Sequence, residues 1–359
     1  MRKLLVLLII IVIFPAFSLV CYGDDGADKY LSDFEKILPE DMCDGASDAE
    51  RLQEMIGFQG LVSELALTFD SEKGRINCFF LNLLGCLVLL ALASTFSGSL
   101  GKAVSCAVGT VTSTLIFSTV FDIYDSVSYA VGQANDFFVA LIPITVGITS
   151  LGGGELTAGV QATGMSVTAA LLSKIWGVFF TAVSGLGLSM SLISAYGGTG
   201  CVTVSRWVKK SFSWVMGIVT AIISGTISLQ TMVSSARDCA AMRAAKYAAS
   251  GMIPAVGSTV SGALATLASG ISYVKGIVGG GSVLVILSIL LSPLVLMLLY
   301  RFAFSFVSFV SEFFEISVAE KIFGSYLYSL DTVIITYTLS GIVYLFEIIL
   351  FVKSGVALL

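Results

Sequence analysis

Long apolar runs alternate with short polar stretches along most of the chain, from residue 78 to the end. A helix that crosses a bilayer needs about 20 mainly apolar residues. Runs of that kind cover residues 78–98, 175–196, 212–233, 282–300 and 333–352. Further uncharged runs, rich in Gly, Ala, Ser and Thr, cover residues 103–121, 137–152, 156–173 and 251–273. The pattern predicts an all-α fold, a polytopic integral membrane helical bundle with about 7–9 spans.

The first 77 residues depart from this pattern. Residues 1–23 combine a basic start with an apolar run and small residues, which predicts a secretory signal peptide, with an uncleaved first helix as the alternative. Residues 24–77 are rich in Asp and Glu and contain apolar residues three and four positions apart. We predict a short acidic extracytoplasmic N-terminal segment there, either a solvated stalk or a docking surface. A polytopic membrane domain follows over residues 78–359.

Positive charges predict the orientation of the helices, because Lys and Arg accumulate in cytoplasmic loops. The strongest cluster, which we assign to a cytoplasmic loop, is Arg206, Lys209 and Lys210. Two tryptophans fit an interfacial aromatic belt, Trp207 within the cluster and Trp214 just after it. Between the runs 103–121 and 137–152, the second and third in chain order, lie three acidic side chains, Asp122, Asp125 and Asp136. They fit a loop on the opposite side of the membrane.

The stretch 237–281 does not follow this charge rule. Counting spans leaves Arg243 and Lys246 outside, so the stretch either re-enters the membrane or buries these cations beside partners. Pro254 lacks an amide hydrogen and weakens a helix that contains it. Gly276 and Gly280 have the spacing at which helix backbones approach closely, within the chain or in a homo-oligomer. These five residues are candidate functional or pathway residues.

Few residues suit catalysis. The chain has no histidine, and none of its 7 cysteines forms a CxxC pair, so the commonest general base and the common zinc motifs are absent. Its glycine clusters precede no Gly-Lys-Ser/Thr sequence, and it has no GxSxG elbow. We therefore predict no catalytic, cofactor-binding or metal-binding residues, and no enzyme activity. The acidic N-terminal segment argues against nucleic-acid binding there.

Charges inside apolar runs are a separate class, because burying one in a membrane is costly. Glu155 and Lys174 fit loops between runs. Glu347 is surrounded by bulky apolar residues in the sequence YLFEIILF, and it is therefore the charge hardest to explain as part of a loop. It either has a functional role inside the membrane or, with Lys353 nearby, marks the membrane interface.

An ordered set of residues between Ser205 and Gly279 resembles the stage III sporulation protein AE family of endospore-forming bacteria. The matching positions are Ser205-Arg206, Lys210, Gly217, Ser228-Leu229-Gln230, Arg243, Ala245-Lys246-Tyr247, Ile253-Pro254-Ala255-Val256-Gly257, Ser261, Lys275 and Gly279. The core of the resemblance is therefore 205–279. It adds Gly257 and Lys275 to the candidate pathway residues. The chain departs from the family at Gly262 and Ala265, where members carry acidic residues nearby.

The resemblance implies a multi-pass protein of the mother-cell membrane around the forespore, that is, the outer forespore membrane. Its expected partners are the other stage III A proteins and, through that complex, forespore protein Q, together with membrane lipid. The implied role is an export-platform or permease-like part of a trans-envelope channel, the feeding tube, needed after engulfment. The alternative is a stand-alone secondary transporter, because broken helices such as 251–281 line transporter sites.

Overall fold

The structure is a computed structural model that describes residues 58–96, 98–196, 200–252 and 257–354. These residues form long helices and, within the described ranges, no strand, which confirms the all-α prediction. The helices are α1 (Phe58–Ala93), α2 (Gly98–Leu151), α3 (Glu155–Ala195), α4 (Cys201–Met252), α5 (Gly257–Phe313) and α6 (Ser317–Lys353). The predicted signal peptide and residues 24–57 of the acidic segment lie outside the described residues.

In the described part of the chain, 6 helices are long and apolar enough to cross a membrane, so the predicted 7–9 spans are not confirmed. Neighbouring apolar runs belong to the same helix. The 54 residues of α2 correspond to about 80 Å of helix, against about 30 Å of hydrocarbon thickness. One such helix therefore contains two runs that the sequence pattern counts separately.

Three predicted loops are wrong for the same reason. Asp122 and Asp136 lie on exposed faces of α2, which is unbroken there, and Lys174 is likewise exposed within α3. The cluster of Arg206, Lys209 and Lys210 lies in α4 rather than in a loop. A charged side chain on an exposed helix face leaves the backbone hydrogen bonds intact, so charge does not require the helix to end.

Two helix ends have well-defined capping geometry. After α2, Gly153 has φ 75°, and the amide of Gly154 donates to the carbonyl of Thr149 at 3.1 Å. After α5, Glu315 has φ 55°, and the amide of Ile316 donates to the carbonyl of Ser311 at 2.9 Å. Both are Schellman motifs, in which a residue in the left-handed region closes the helix. The second uses a glutamate where glycine is favoured.

The helices pack into two compact units, and every helix except α1 contributes to both. Among the described residues, unit 1 contains those up to Thr119, Leu188–Val202 and Leu299–Leu327. Its core is aromatic: the Phe79 and Tyr300 ring centroids are 4.4 Å apart. The Tyr326 hydroxyl donates to the carbonyl of Ser113 at 2.7 Å. Such a hydrogen bond between helices satisfies a polar group that the apolar surroundings would otherwise leave unpaired.

Unit 2 contains Val120–Gly187, Thr203–Leu298 and the chain from Tyr328 onward. Its core combines aromatic rings with hydroxyl partners. The indole of Trp176 donates to Ser340 Oγ at 2.9 Å, and the Tyr337 hydroxyl donates to the Leu290 carbonyl at 3.0 Å. These bonds tie α3 and α5 to α6, and the same helices build the polar site described next.

Candidate functional site

A lysine is buried inside unit 2, and none of its hydrogen-bond partners among the described residues is a carboxylate. Lys275, on α5, is 2% exposed. Its ammonium group donates to the carbonyl oxygen of Ser354 at 3.2 Å and to the hydroxyl of the same residue at 3.0 Å. The ammonium also lies 5.5 Å from the centre of the Phe351 ring. Ser354 follows the last residue of α6, so the cation caps the carbonyl end of that helix, where the helix dipole favours positive charge.

A chain of neutral side chains extends this contact to two further helices. Gln161, on α3, donates through its amide nitrogen to the Ser354 hydroxyl at 3.0 Å. The amide oxygen of Gln161 accepts from the Thr149 hydroxyl of α2, also at 3.0 Å. A continuous hydrogen-bonded path therefore runs from Thr149 through Gln161 and Ser354 to Lys275. All four side chains are buried.

A carboxylate lies on the same side of α6. Glu347 is 3% exposed, and one of its oxygens accepts a hydrogen bond from the Thr168 hydroxyl. Its other oxygen has no hydrogen-bond partner among the described residues. Glu347, Phe351 and Ser354 are spaced i, i+4 and i+7, which places them on one face of the helix. We call Thr149, Gln161, Thr168, Lys275, Glu347 and Ser354 the polar core.

A close approach of two helices positions Lys275. A Cβ atom built on Gly279 would collide with a methyl group of Val352 on α6. Gly279 is four residues after Lys275, so both lie on the face of α5 that meets α6. At Gly276 and Gly280 the space beyond the backbone is open. The close contact therefore uses Gly279 rather than the predicted GxxxG pair.

An aspartate from α4 fixes the start of α3. The backbone amide and the hydroxyl of Thr157 both donate to Asp238 Oδ2, at 2.8 and 2.6 Å. A carboxylate at a helix N-terminus satisfies an unpaired amide and interacts favourably with the helix dipole. Gln161 is one turn further along α3, so this cap holds the amide of the polar core in position.

The other candidate residues do not join this site in the described structure. Arg243 is exposed on α4, and Gly257 is the first residue of α5. Lys246 lies in α4, but its side chain is outside the description, and Pro254 lies outside the described residues altogether. The glycines from Gly276 to Gly281 form part of an unbroken helix rather than a break in the chain.

Sequence reasoning missed Thr149, Gln161, Thr168, Ser354 and Asp238. For Thr149, Gln161 and Thr168 the available signal was the Gly, Ser and Thr content of the runs 137–152 and 156–173, whereas Asp238 and Ser354 lie outside both runs. That composition predicts close packing but does not say which hydroxyl or amide faces a lysine.

The polar core offers hydrogen-bond donors, acceptors and opposite charges, but no nucleophile activated by a base. The ammonium group of Lys275 has three hydrogens, of which two are directed to Ser354. Within the described residues, no group of three or more His, Cys, Asp or Glu side chains lies close enough to hold a metal ion. The arrangement suits the binding or relay of a small polar species inside an apolar bundle.

A protein-family model matches most of the chain. No curated protein and no solved structure matches the chain significantly. A family model described as stage III sporulation protein AE matches residues 50–355, which include the polar core and all of the described helices. This family is not a known enzyme family. The extent of the match shows that the chain belongs to the stage III sporulation protein AE family.

Proposed function

We propose that this chain is a membrane component of the stage III A trans-envelope channel, the feeding tube that links mother cell and forespore. It acts as an export-platform or permease-like part in the outer forespore membrane after engulfment. Its partners are the other stage III A proteins and, through them, forespore protein Q. Family membership, which implies a role in stage III of sporulation, and the apolar helices support this proposal.

The observation that carries the permease-like role is the buried Lys275 of the polar core. A charged residue within a membrane helix is costly, and it is usually retained where a polar species must be bound or moved. Lys275 has no carboxylate partner that would make it a purely structural ion pair in the described unit. The neutral path to Gln161 and Thr149 extends the hydrophilic interior across three helices and the end of a fourth.

Replacing Lys275 tests this role in sporulating cells. Lys275→Met keeps most of the length of the side chain but removes the charge. We expect it to abolish late forespore gene expression and heat-resistant spores, while the protein still accumulates in the membrane fraction. Lys174→Met is the matched control, because Lys174 is an exposed lysine of the same unit. Normal spore yield with Lys275→Met would contradict the role of the polar core.

Partnership requires its own measurement. Affinity purification of the full chain from sporulating cells, followed by mass spectrometry, should recover the other stage III A proteins. Recovery of none of them from cells stalled after engulfment would contradict membership of the channel. Lys275→Met should recover the same partners as the unsubstituted chain, because the lysine is buried inside unit 2.

A second candidate is a stand-alone secondary transporter. The buried Glu347, with one oxygen unpartnered among the described residues, favours it, because such carboxylates bind coupling ions in transporters. The purified chain alone in liposomes distinguishes the two functions. Flux without any partner favours the transporter, whereas flux only in the reconstituted complex favours the channel component.

A further inference from the structure

Three cations and two aromatic rings line a groove on the surface of unit 2. Arg206, Lys209, Lys210, Ser213 and Trp214 of α4 are spaced i, i+3, i+4, i+7 and i+8, so they share one face of that helix. Tyr328 of α6 completes the lining. We call these six residues the basic groove. Its volume is ≈ 510 Å³.

The charges of the basic groove are not balanced. Lys209 forms an ion pair with Asp331 of α6. The Arg206 guanidinium donates instead to the Tyr328 hydroxyl at 3.1 Å. Lys210 is exposed and makes no hydrogen bond or ion pair with any residue that the structure describes. Among the described residues one carboxylate therefore pairs with these three cations, and the groove retains an excess of positive charge.

The same contacts preorganise the cations. The Arg206 guanidinium carbon and the Lys209 ammonium each lie 5.5 Å from the centre of the Tyr328 ring. Like charges that converge on one ring repel each other, and a bound anion between them would relieve that repulsion. A guanidinium fork with adjacent ammonium groups matches the oxygens of a phosphate group.

Exposed tryptophans locate the groove relative to lipid. Trp207 is 67% exposed and Trp214 is 72% exposed, and both belong to a helix apolar enough to cross a membrane. Tryptophan rings of membrane proteins concentrate at the level of the lipid headgroups. A basic groove at that level, with Trp214 on its wall, is placed to contact the phosphate headgroups of phospholipids.

We propose that the basic groove binds the phosphate headgroup of an anionic phospholipid. Arg206 and Lys210 hold the phosphate oxygens, and Trp214 packs on the lipid's glycerol and upper acyl region. The Ser213 hydroxyl donates to the Lys209 carbonyl at 2.7 Å and lines the groove without donating to the phosphate. Lys209 is held by Asp331 and supports the site mainly through its position. The site is separate from the polar core and does not depend on the function proposed above.

Quenching of tryptophan fluorescence by brominated lipid tests the proposal on the full chain. A Trp207→Phe variant is reconstituted in phosphatidylcholine vesicles that contain increasing fractions of brominated phosphatidylglycerol. Trp214 then reports the groove, and the buried Trp176 supplies a constant background. A parallel series with brominated phosphatidylcholine reports contact without charge. We expect half-maximal quenching at a several-fold lower fraction of the anionic lipid.

Charge variants then identify the residues. Lys210→Gln should raise the fraction of phosphatidylglycerol needed about fivefold, the usual effect of one cation near an anionic membrane surface. Because Lys210 contacts no described partner, this variant should fold normally. Lys174→Gln, which removes another exposed cation of unit 2, should leave the titration unchanged. Removing Trp214 from the Trp207→Phe variant should abolish the difference in quenching between the two lipids.

Several outcomes would overturn the proposal. One is equal quenching by the two lipids, which would indicate that the groove binds a soluble anion or an acidic protein instead of a phospholipid. Another is an equal effect of Lys174→Gln and Lys210→Gln. A preference that survives the loss of Trp214 would place the lipid elsewhere. Displacement by an equal concentration of inorganic phosphate would identify a site for the free ion.

Discussion

Lys275 and Ser354 form a contact in which one buried ammonium group donates to both oxygens of a single serine, its carbonyl and its hydroxyl. The serine hydroxyl also accepts from Gln161 at 3.0 Å and donates to the Phe351 carbonyl at 2.7 Å. The serine is thus the centre of the network, and the lysine is one of its branches.

This relationship predicts that the serine matters more than the lysine for stability. Lys275→Met removes a charge that has no ion-pair partner among the described residues and leaves Ser354 bonded to Gln161, so the free energy of unfolding should change by less than about 1 kcal/mol. Ser354→Ala leaves both the ammonium group and the Gln161 amide short of a partner. We expect it to destabilise unit 2 by about 1–3 kcal/mol. Thermal unfolding in detergent, followed by circular dichroism, measures both.

The control for this pair is Ser340→Ala, which removes a different buried acceptor of unit 2, the partner of the Trp176 indole. Only loss of Ser354 should alter the position of α6 relative to Gln161, detectable as faster hydrogen exchange near the end of α6. A larger stability loss in Lys275→Met than in Ser354→Ala would show that the cation, not the serine, centres the network.

The helical architecture was predictable because it follows from local chemistry. Apolar runs of about 20 residues cannot leave backbone groups unpaired in lipid, so they form helices. The buried position of Glu347 was also foreseeable, since bulky apolar residues surround it on both sides. The number of helices could not be predicted, because Asp122 and Asp136 interrupt the apolar pattern of the sequence but lie on exposed faces of an unbroken α2.

The partners within the polar core could not be predicted, because they depend on how helices are rotated against each other. Gln161 and Ser354 are neutral residues that look alike in the sequence whether they face a lysine or lipid. Likewise, Gly276, Gly279 and Gly280 are equally small, and only the packing of α5 on α6 selects Gly279 as the contact. The hydrophobic pattern of a helix identifies its packing face only when that face differs in polarity from the other faces.

The glycine contact gives a second prediction. Gly279→Ala would push a methyl group into Val352, whose branched side chain has little freedom to move, and should destabilise unit 2 by about 1–3 kcal/mol. Gly276→Ala, three residues earlier in the same helix, meets open space and should stabilise the helix by about 0.5–1 kcal/mol. Opposite shifts of the unfolding midpoint are expected, and shifts of the same sign would contradict the assigned helix face.

The capping residue after α5 gives a third prediction. Glu315 is an exposed, non-glycine residue with φ 55°, a conformation that costs an L-residue about 1–2 kcal/mol relative to glycine. Glu315→Gly should therefore stabilise unit 1 by about 0.5–1 kcal/mol, since part of the gain is offset by the greater freedom of glycine in the unfolded chain.

Glu312→Gly, the same substitution within the last turn of α5, should destabilise unit 1 by about 0.5–1 kcal/mol. Both variants remove one exposed negative charge, so the difference between their unfolding midpoints isolates the backbone effect. Equal midpoints would mean that the left-handed conformation of Glu315 carries no strain.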